Sequence, residues 1–151
     1  ISADDFVVGI SASGRTPYVL GGLNHCRAEG ISTGCVVCNT DSSIETASDL
    51  PIVVNTGAEF LTGSTRMKAG TAQKMVLNML STSVMIKLGH VEDNRMVDMQ
   101  LSNNKLIERG SKMIAQSCGI SHEEGEKLLL RFGSVRKALH FIREHGIPSD
   151  I

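Results

Sequence analysis

The 151 residues are 41% hydrophobic and 21% charged, with a formal net charge of −1 and a pI near 6.6, which suits one ordinary domain, or part of a larger one with a small appendage. That balance, without any Lys/Arg run, excludes the electrostatic footprint of a nucleic-acid binder, and no apolar stretch reaches the ~18 to 20 residues that a bilayer requires. Aromatic residues make up 3% and Trp is absent, so Leu, Ile, Val, Ala and Met do the packing and cofactor stacking on aromatic rings is not expected.

The first half alternates strand-like and helix-like segments. A strand is predicted over Phe6 to Ile10, a helix from about Pro17 to Glu29, a strand from Gly34 to Cys38, a short helix near Ser42 to Ala47 and a strand from Ile52 to Asn55. Short, near-continuous apolar strands in a βαβαβ order predict a doubly wound parallel sheet with helices on both faces; Gly30 and Gly89 stand where helix C-terminal caps belong. Open parallel sheets usually have about five strands, and only three are legible here, the first almost at residue 1. Further strands are therefore expected upstream.

From Thr65 to Leu88, Ala72, Met75, Val76, Met79, Leu80, Ser83 and Val84 keep an i, i+3, i+4 spacing, which predicts a helix about 36 Å long. Its Met-rich stripe is expected in a core or a dimer interface and not around a cofactor. After Asn103 the pattern changes to short helices alone, near Asn104 to Ser117, Ser121 to Arg131 and Ser134 to Glu144. Ser121 and Glu124 have the spacing of a capping box, and Leu128, Leu129, Val135, Ala138, Leu139 and Ile142 suffice for a local core. The expected division is residues 1–100 for the α/β part and 101–151 for a small helical bundle.

Two stretches carry chemistry. In Ile10-Ser11-Ala12-Ser13-Gly14-Arg15-Thr16-Pro17 a strand ends, Gly14 permits a tight turn, and Pro17 at the first helical position starts the next helix. Ser11, Ser13 and Thr16 then surround free N–H groups at the positive end of a helix, where an anion is favoured. Three hydroxyls around one Gly point beyond a simple N-cap, although this is neither a G-x-G-x-x-G nor a G-K-[ST] loop.

The second stretch, GAEFLTGSTRMKAGTAQK at residues 57 to 74, carries Glu59, Ser64, Thr65, Arg66 and Lys68 on a Gly-punctuated loop that enters the long helix. Cations in the first turn oppose the helix dipole, so a bound anion or an acidic neighbour is expected to compensate them. Glu59 is the loop's acid, a candidate for hydrogen-bonding a sugar hydroxyl or handling a proton. Both loops together indicate a phosphorylated small molecule as ligand. NTDSS at residues 39 to 43 follows the second strand, where open α/β sheets bind ligands, but Asx and Ser turns explain it equally well.

Cys26, Cys35, Cys38 and Cys118 lie in apolar or helical surroundings, which suits a reducing cytoplasm. Cys35 and Cys38 form C-x-x-C inside STGCVVCN and are read as inert core thiols in a strand. The five histidines share no metal-ligand spacing with each other or with the cysteines, so no metal is expected.

SASGRTPYVLGGL resembles the phosphosugar loop of sugar isomerase (SIS) domains. GAEFLTGSTRMKAGTAQK resembles the signature shared by bacterial N-acetylmuramic acid 6-phosphate etherases and the glucokinase regulatory protein. VLNMLST, MIKLGHV, NRMVDMQ and the closing GSVRKALHFI extend the similarity over essentially the whole chain and favour the etherases. The resemblance implies a flavodoxin-like sheet of order 2-1-3-4-5, whose third strand is the first one here, followed by helices.

The resemblance also implies cleavage of the lactyl ether of N-acetylmuramic acid 6-phosphate to N-acetylglucosamine 6-phosphate and D-lactate, without a cofactor, by a cytoplasmic homodimer. Ser11, Ser13, Gly14 and Thr16 would then hold the 6-phosphate, and Glu59, Ser64, Arg66 and Lys68 the sugar side or its wall. The family's acid/base glutamates fall upstream of this segment, so no residue here inherits a catalytic role. A non-catalytic phosphosugar sensor like the glucokinase regulatory protein is the alternative.

Overall fold

The computed structural model describes residues 1–148 and 151, so residues 149–150 of the expected bundle lie outside the described residues. The chain divides into two compact units, Ile1–Thr82 and Ser83–Ile151.

The first unit is a parallel sheet of β1 (Phe6–Ser11), β2 (Ser32–Val37) and β3 (Leu50–Val53) in that spatial order. Phe6 stands beside Ser32 and Ser11 beside Val37, while Gly34 faces Leu50 and Val37 faces Val53. β2 is the central strand and is buried from Thr33 onward, as its β-branched and small residues favour.

Helix α1 (Pro17–Ala28) returns the chain from β1 to β2 and packs Val19, Leu20 and Leu23 against Cys35, Val37 and Ile44. It approaches closely because Gly9 has no side chain: a β-carbon there would lie 2.7 Å from Leu23 Cδ1. Short α2 (Ser43–Thr46) opens on a capping box between Ser42 and Glu45 and buries Ile44. Asp49 then accepts both the N–H and the hydroxyl of Thr33, at 2.9 and 2.7 Å, and pairs with Arg27.

The expectation that helices cover both faces does not hold for β1, whose Phe6, Val8 and Ile10 are 50%, 40% and 41% exposed on the side away from α1. Helix α3 (Lys68–Lys87) also starts later than the periodicity predicts, because 64–67 are taken up by turns in which Ser64 N–H donates to Leu61 O and Met67 N–H to Ser64 O. Only Ala69 and Val76 of α3 are buried, and Met75, Met79 and Val84 remain more than half exposed, so the methionine stripe is not part of this chain's core. α3 is tied to the sheet's end by Gln73 Nε2, which donates to Val36 O at 3.2 Å, and by the Cys38 thiol, which points to Ala69 O at 3.6 Å.

The second unit takes in the last residues of α3 and then a hairpin absent from the sequence reading, β4 (Val91–Glu92) and β5 (Arg95–Met96), turned at Asp93 with φ 54°. Helices α4 (Asn104–Cys118), α5 (His122–Phe132) and α6 (Val135–His145) follow. Asn103, Ser121 and Ser134 cap them by accepting N–H groups, the Ser121–Glu124 capping box is formed, and Gly119 and Gly133 end α4 and α5 in the left-handed conformation.

The core holds Ile114, Leu128, Leu129, Val135, Ala138 and Leu139, with Ile142 at its margin. Val97, Met99 and Leu101 pack on the same core, so the segment before α4 belongs to this unit, although composition alone places the change of pattern near residue 100.

Candidate functional site

The SASGRT loop joins β1 to α1 and is held from beneath by the start of α2. Cys38 N–H donates to Ala12 O and Ile44 N–H to Gly14 O, both at 3.1 Å, and Asn39 Nδ2 reaches Ala12 O and Ser13 O at 3.3 and 3.4 Å. NTDSS thus clamps the loop. Gly14 is buried with φ +69°, a conformation that favours glycine, and its missing side chain leaves room for Ser42.

Within the loop, the buried Ser11 Oγ accepts Gly14 N–H at 3.1 Å and lies 2.8 Å from Thr16 Oγ1 and 3.5 Å from Ser13 Oγ, while Ser13 Oγ accepts Arg15 N–H at 3.3 Å. The four predicted residues Ser11, Ser13, Gly14 and Thr16 therefore meet at one helix entrance. Thr16 makes no side-chain cap to α1, and no acidic residue lies in the helix's first turn. The entrance keeps its positive dipole end uncompensated by the protein.

The second entrance is built differently. Glu59 reaches across the loop and accepts Lys68 N–H on one carboxylate oxygen and Ala69 N–H on the other, each at 3.0 Å, while Lys68 Nζ returns to Ala58 O at 2.7 Å. The N–H bonds of Ala69 and Lys68, joined by the Lys68 charge, hold the Glu59 carboxyl below its ordinary range. The compensation expected for the cations thus includes an acidic neighbour. Arg66 is exposed and pairs with no carboxylate among the described residues; Ser64 is half-buried beside it.

Two cavities lie at the carboxyl ends of the strands. One of about 200 Å³ has Ala12, Asn39, Thr56, Glu59, Thr62 and Thr65 among its lining, so both loops form its wall. The other, open and about 390 Å³, is lined by Ser13, Arg15, Asn39, Thr40 and Asn55, residues that follow β1, β2 and β3 in turn. Asn39 is shared by both. Ser64 and Arg66 line neither, whereas Thr65 between them does. Asn39, Thr40 and Asn55 had a signal in the sequence, a polar run just past a strand, but strand ends shift by one or two residues and such runs equally make turns.

Cys35 and Cys38 are buried, free thiols; Ser48 Oγ donates to Cys35 Sγ at 3.1 Å, and burial, then the nearby Glu59 charge, pushes the Cys38 thiol up. Neither is poised as a nucleophile. In the helical unit Arg95, Lys105, Arg109 and Lys112 line an open groove of about 480 Å³, in which Lys112 is neutralised by Glu108 at 2.6 Å. No helix among the described residues is long and apolar enough to cross a membrane.

Comparison with known proteins places this geometry. The SIS domain pattern matches residues 1–83, and that of the C-terminal lid domain of glucokinase regulatory protein matches residues 93–141. An N-acetylmuramic acid 6-phosphate etherase of Christiangramia forsetii is 62% identical over 139 residues, 92% of this chain and 51% of its own length. The protein of that name from Porphyromonas gingivalis is 54% identical over 144 residues, covering 95% of this chain and 53% of its own length, and that from Mycolicibacterium smegmatis is 52% identical over 150 residues, covering 99% and 50%. The chain spans about half the length of the curated relatives it matches. With its strand-to-helix hydroxyl loop at the carboxyl end of a parallel sheet, and a match through that whole layer, the chain belongs to the SIS-domain family.

Proposed function

We propose that this chain forms the phosphate-holding wall of an N-acetylmuramic acid 6-phosphate etherase, a carbon–oxygen lyase that releases D-lactate and leaves N-acetylglucosamine 6-phosphate. The observation that carries this reading is the uncapped entrance of α1, ringed by Ser11, Ser13 and Thr16, in a chain 62% identical to a protein of that name over 139 residues.

The hydrogen bonds give the hydroxyls a direction. Gly14 N–H donates to Ser11 Oγ, so Ser11 can donate its hydroxyl to Thr16 Oγ1, and the Thr16 hydroxyl is left to donate a hydrogen bond to the 6-phosphate. Arg15 N–H does the same for Ser13. Such a chain polarises each bond in turn, and neutral donors hold a dianion without binding it too tightly to release. On the sugar side Thr62 and Thr65 line the wall, and Glu59 with Lys68 organises the loop that carries them.

An alkyl ether has a poor leaving group, an alkoxide. With the sugar ring open, C2–H becomes acidic beside the C1 aldehyde; a base takes that proton, lactate leaves C3 with help from an acid, and water adds to the double bond formed. Anchoring by the remote phosphate aligns C2 and C3 for these steps. The base and acid come from the part of the relatives' length that this chain does not match. The free thiols suit a cytoplasmic setting, and the exposed apolar stripe of α3 suits a second copy as partner.

The test is D-lactate release from N-acetylmuramic acid 6-phosphate by this chain and by a version extended upstream to the relatives' length. Lactate from the extended protein alone supports the etherase with its acid and base upstream. A phosphosugar sensor is the second reading, favoured by the lid-domain match at residues 93–141; it takes the lead if neither protein releases lactate while both bind the phosphosugar.

A further inference from the structure

The two helix entrances were alike in sequence and differ in structure. α1 opens with no side chain on its first-turn donors, whereas the first turn of α3 is occupied by the protein's own carboxylate, with one oxygen of Glu59 on Lys68 N–H and the other on Ala69 N–H. Lys68 Nζ donates a third bond, to Ala58 O, so residues 58 and 59 are stapled to 68 and 69 and the intervening segment becomes a closed loop. Inside it, turns from Ser64 N–H to Leu61 O, Met67 N–H to Ser64 O and Gly70 N–H to Thr65 O set the backbone of Ser64, Thr65 and Arg66.

We infer that Glu59 is a positioning residue: its carboxylate, with Lys68, clasps the loop 58–68 so that Thr62, Gly63 and Thr65 face the cavity, and it neither exchanges a proton with substrate nor supplies the main contact to it. This rests on the second loop being a wall of the phosphosugar cleft.

Three geometric facts support it. Each carboxylate oxygen already accepts a well-placed N–H along the helix axis, the arrangement of a strong charge-assisted cap. Phe60 and Leu61, immediately after Glu59, are 97% and 59% exposed, so no apolar packing of theirs holds the loop in this unit and the polar staple must. Ala69, the second donor, is buried and its carbonyl lies 3.6 Å from the Cys38 thiol at the end of β2, so the staple transmits the position of the sheet to the loop. A group already fixed by two donors and held in its charged form is a poor proton carrier near neutrality.

The experiment is amide hydrogen exchange on the wild-type protein and on Glu59→Gln, Glu59→Asp and Lys68→Met, with phosphosugar affinity and the pH profile of lactate release measured on the same variants in the upstream-extended protein. Glu59→Gln keeps one carbonyl acceptor but turns an NH₂ toward the second donor. Loss of a cap predicts exchange of Lys68 and Ala69 N–H faster by about tenfold, a smaller change in Glu59→Asp, and weaker phosphosugar binding in proportion, with the pH profile unmoved.

Lys68→Met should loosen the same amides and combine less than additively with Glu59→Gln. The inference is overturned if Glu59→Gln leaves those amides protected, or if it removes one limb of the pH profile while the loop stays protected. Should the extended protein release no lactate at all, the exchange data still decide the clasp, and only the etherase reading fails.

Discussion

Ser42 Oγ lies 2.3 Å from the point a β-carbon on Gly14 would occupy. The clamp between the SASGRT loop and the start of α2 therefore depends on a residue with no side chain. Gly14→Ala must both hold φ +69° and push Ser42 out of its capping box, and is expected to destabilise the protein by about 2 to 5 kcal/mol. Urea unfolding of the variant checks this; a change under ~0.5 kcal/mol would mean the turn relaxes freely.

Ser13→Ala combined with Thr16→Val removes two donors from an exposed entrance without touching the sheet core. Phosphosugar affinity should fall by about one to two orders of magnitude, at roughly 1 kcal/mol or more per lost bond to a charged group, with the circular dichroism spectrum preserved. Isothermal titration of the extended protein gives the answer, and unchanged affinity would remove this loop from the binding site.

Asp98 is bridged by Arg136 and by His90 Nδ1, each at 2.7 Å, and these bonds, Arg136 first, lower its carboxyl to about 2 from 3.8. The Arg136 guanidinium also reaches Gly89 O. A carboxyl depressed on folding stabilises fully above its unfolded value and loses that contribution as pH falls through the folded one. Stability of the wild type should therefore fall between pH 3.8 and about 2 through this group, and Asp98→Asn should flatten that part of the curve. Thermal melts across this range, on both proteins, measure it.

Cys35→Ser places a hydroxyl in a fully buried strand position, where Ser48 Oγ at 3.1 Å offers one partner. A cost of about 1 to 3 kcal/mol in stability with phosphosugar affinity intact is expected. A selective loss of activity in a protein of unchanged Tm would instead make the thiol functional.

Much of the fold was legible because its signals are local: short β-branched strands and Pro17 at a helix start in the α/β unit, and a capping box at Ser121 and Glu124 in the helical one. The hairpin at Val91–Met96 was not, since strands of two residues are too short to show a period and Asp93 is an unremarkable turn residue until its φ of 54° is seen. The candidate site divides the same way. Ser11, Ser13, Gly14 and Thr16 sit within six residues and announce a helix entrance, whereas the bond from Glu59 to Ala69 spans ten residues and the shared wall at Asn39 spans separate loops. Periodicity carries no information on either, so Glu59 was read by its charge alone and not by its partners.

The helical core was read correctly from spacing because α5 and α6 bury one stripe each. The stripe of α3 was expected in a core or a dimer interface and is not in this chain's core, because amphipathic spacing identifies a face without saying what covers it.

The unequal filling of the two helix entrances sets how much charge a ligand can bring. With α3 already neutralised by Glu59, α1 is the one of these two entrances that still offers an unoccupied positive pole. On the function proposed above, this wall would favour a molecule with a single terminal phosphate and an otherwise uncharged body: a sugar bisphosphate would meet the Glu59 carboxylate where its second phosphate needs a donor.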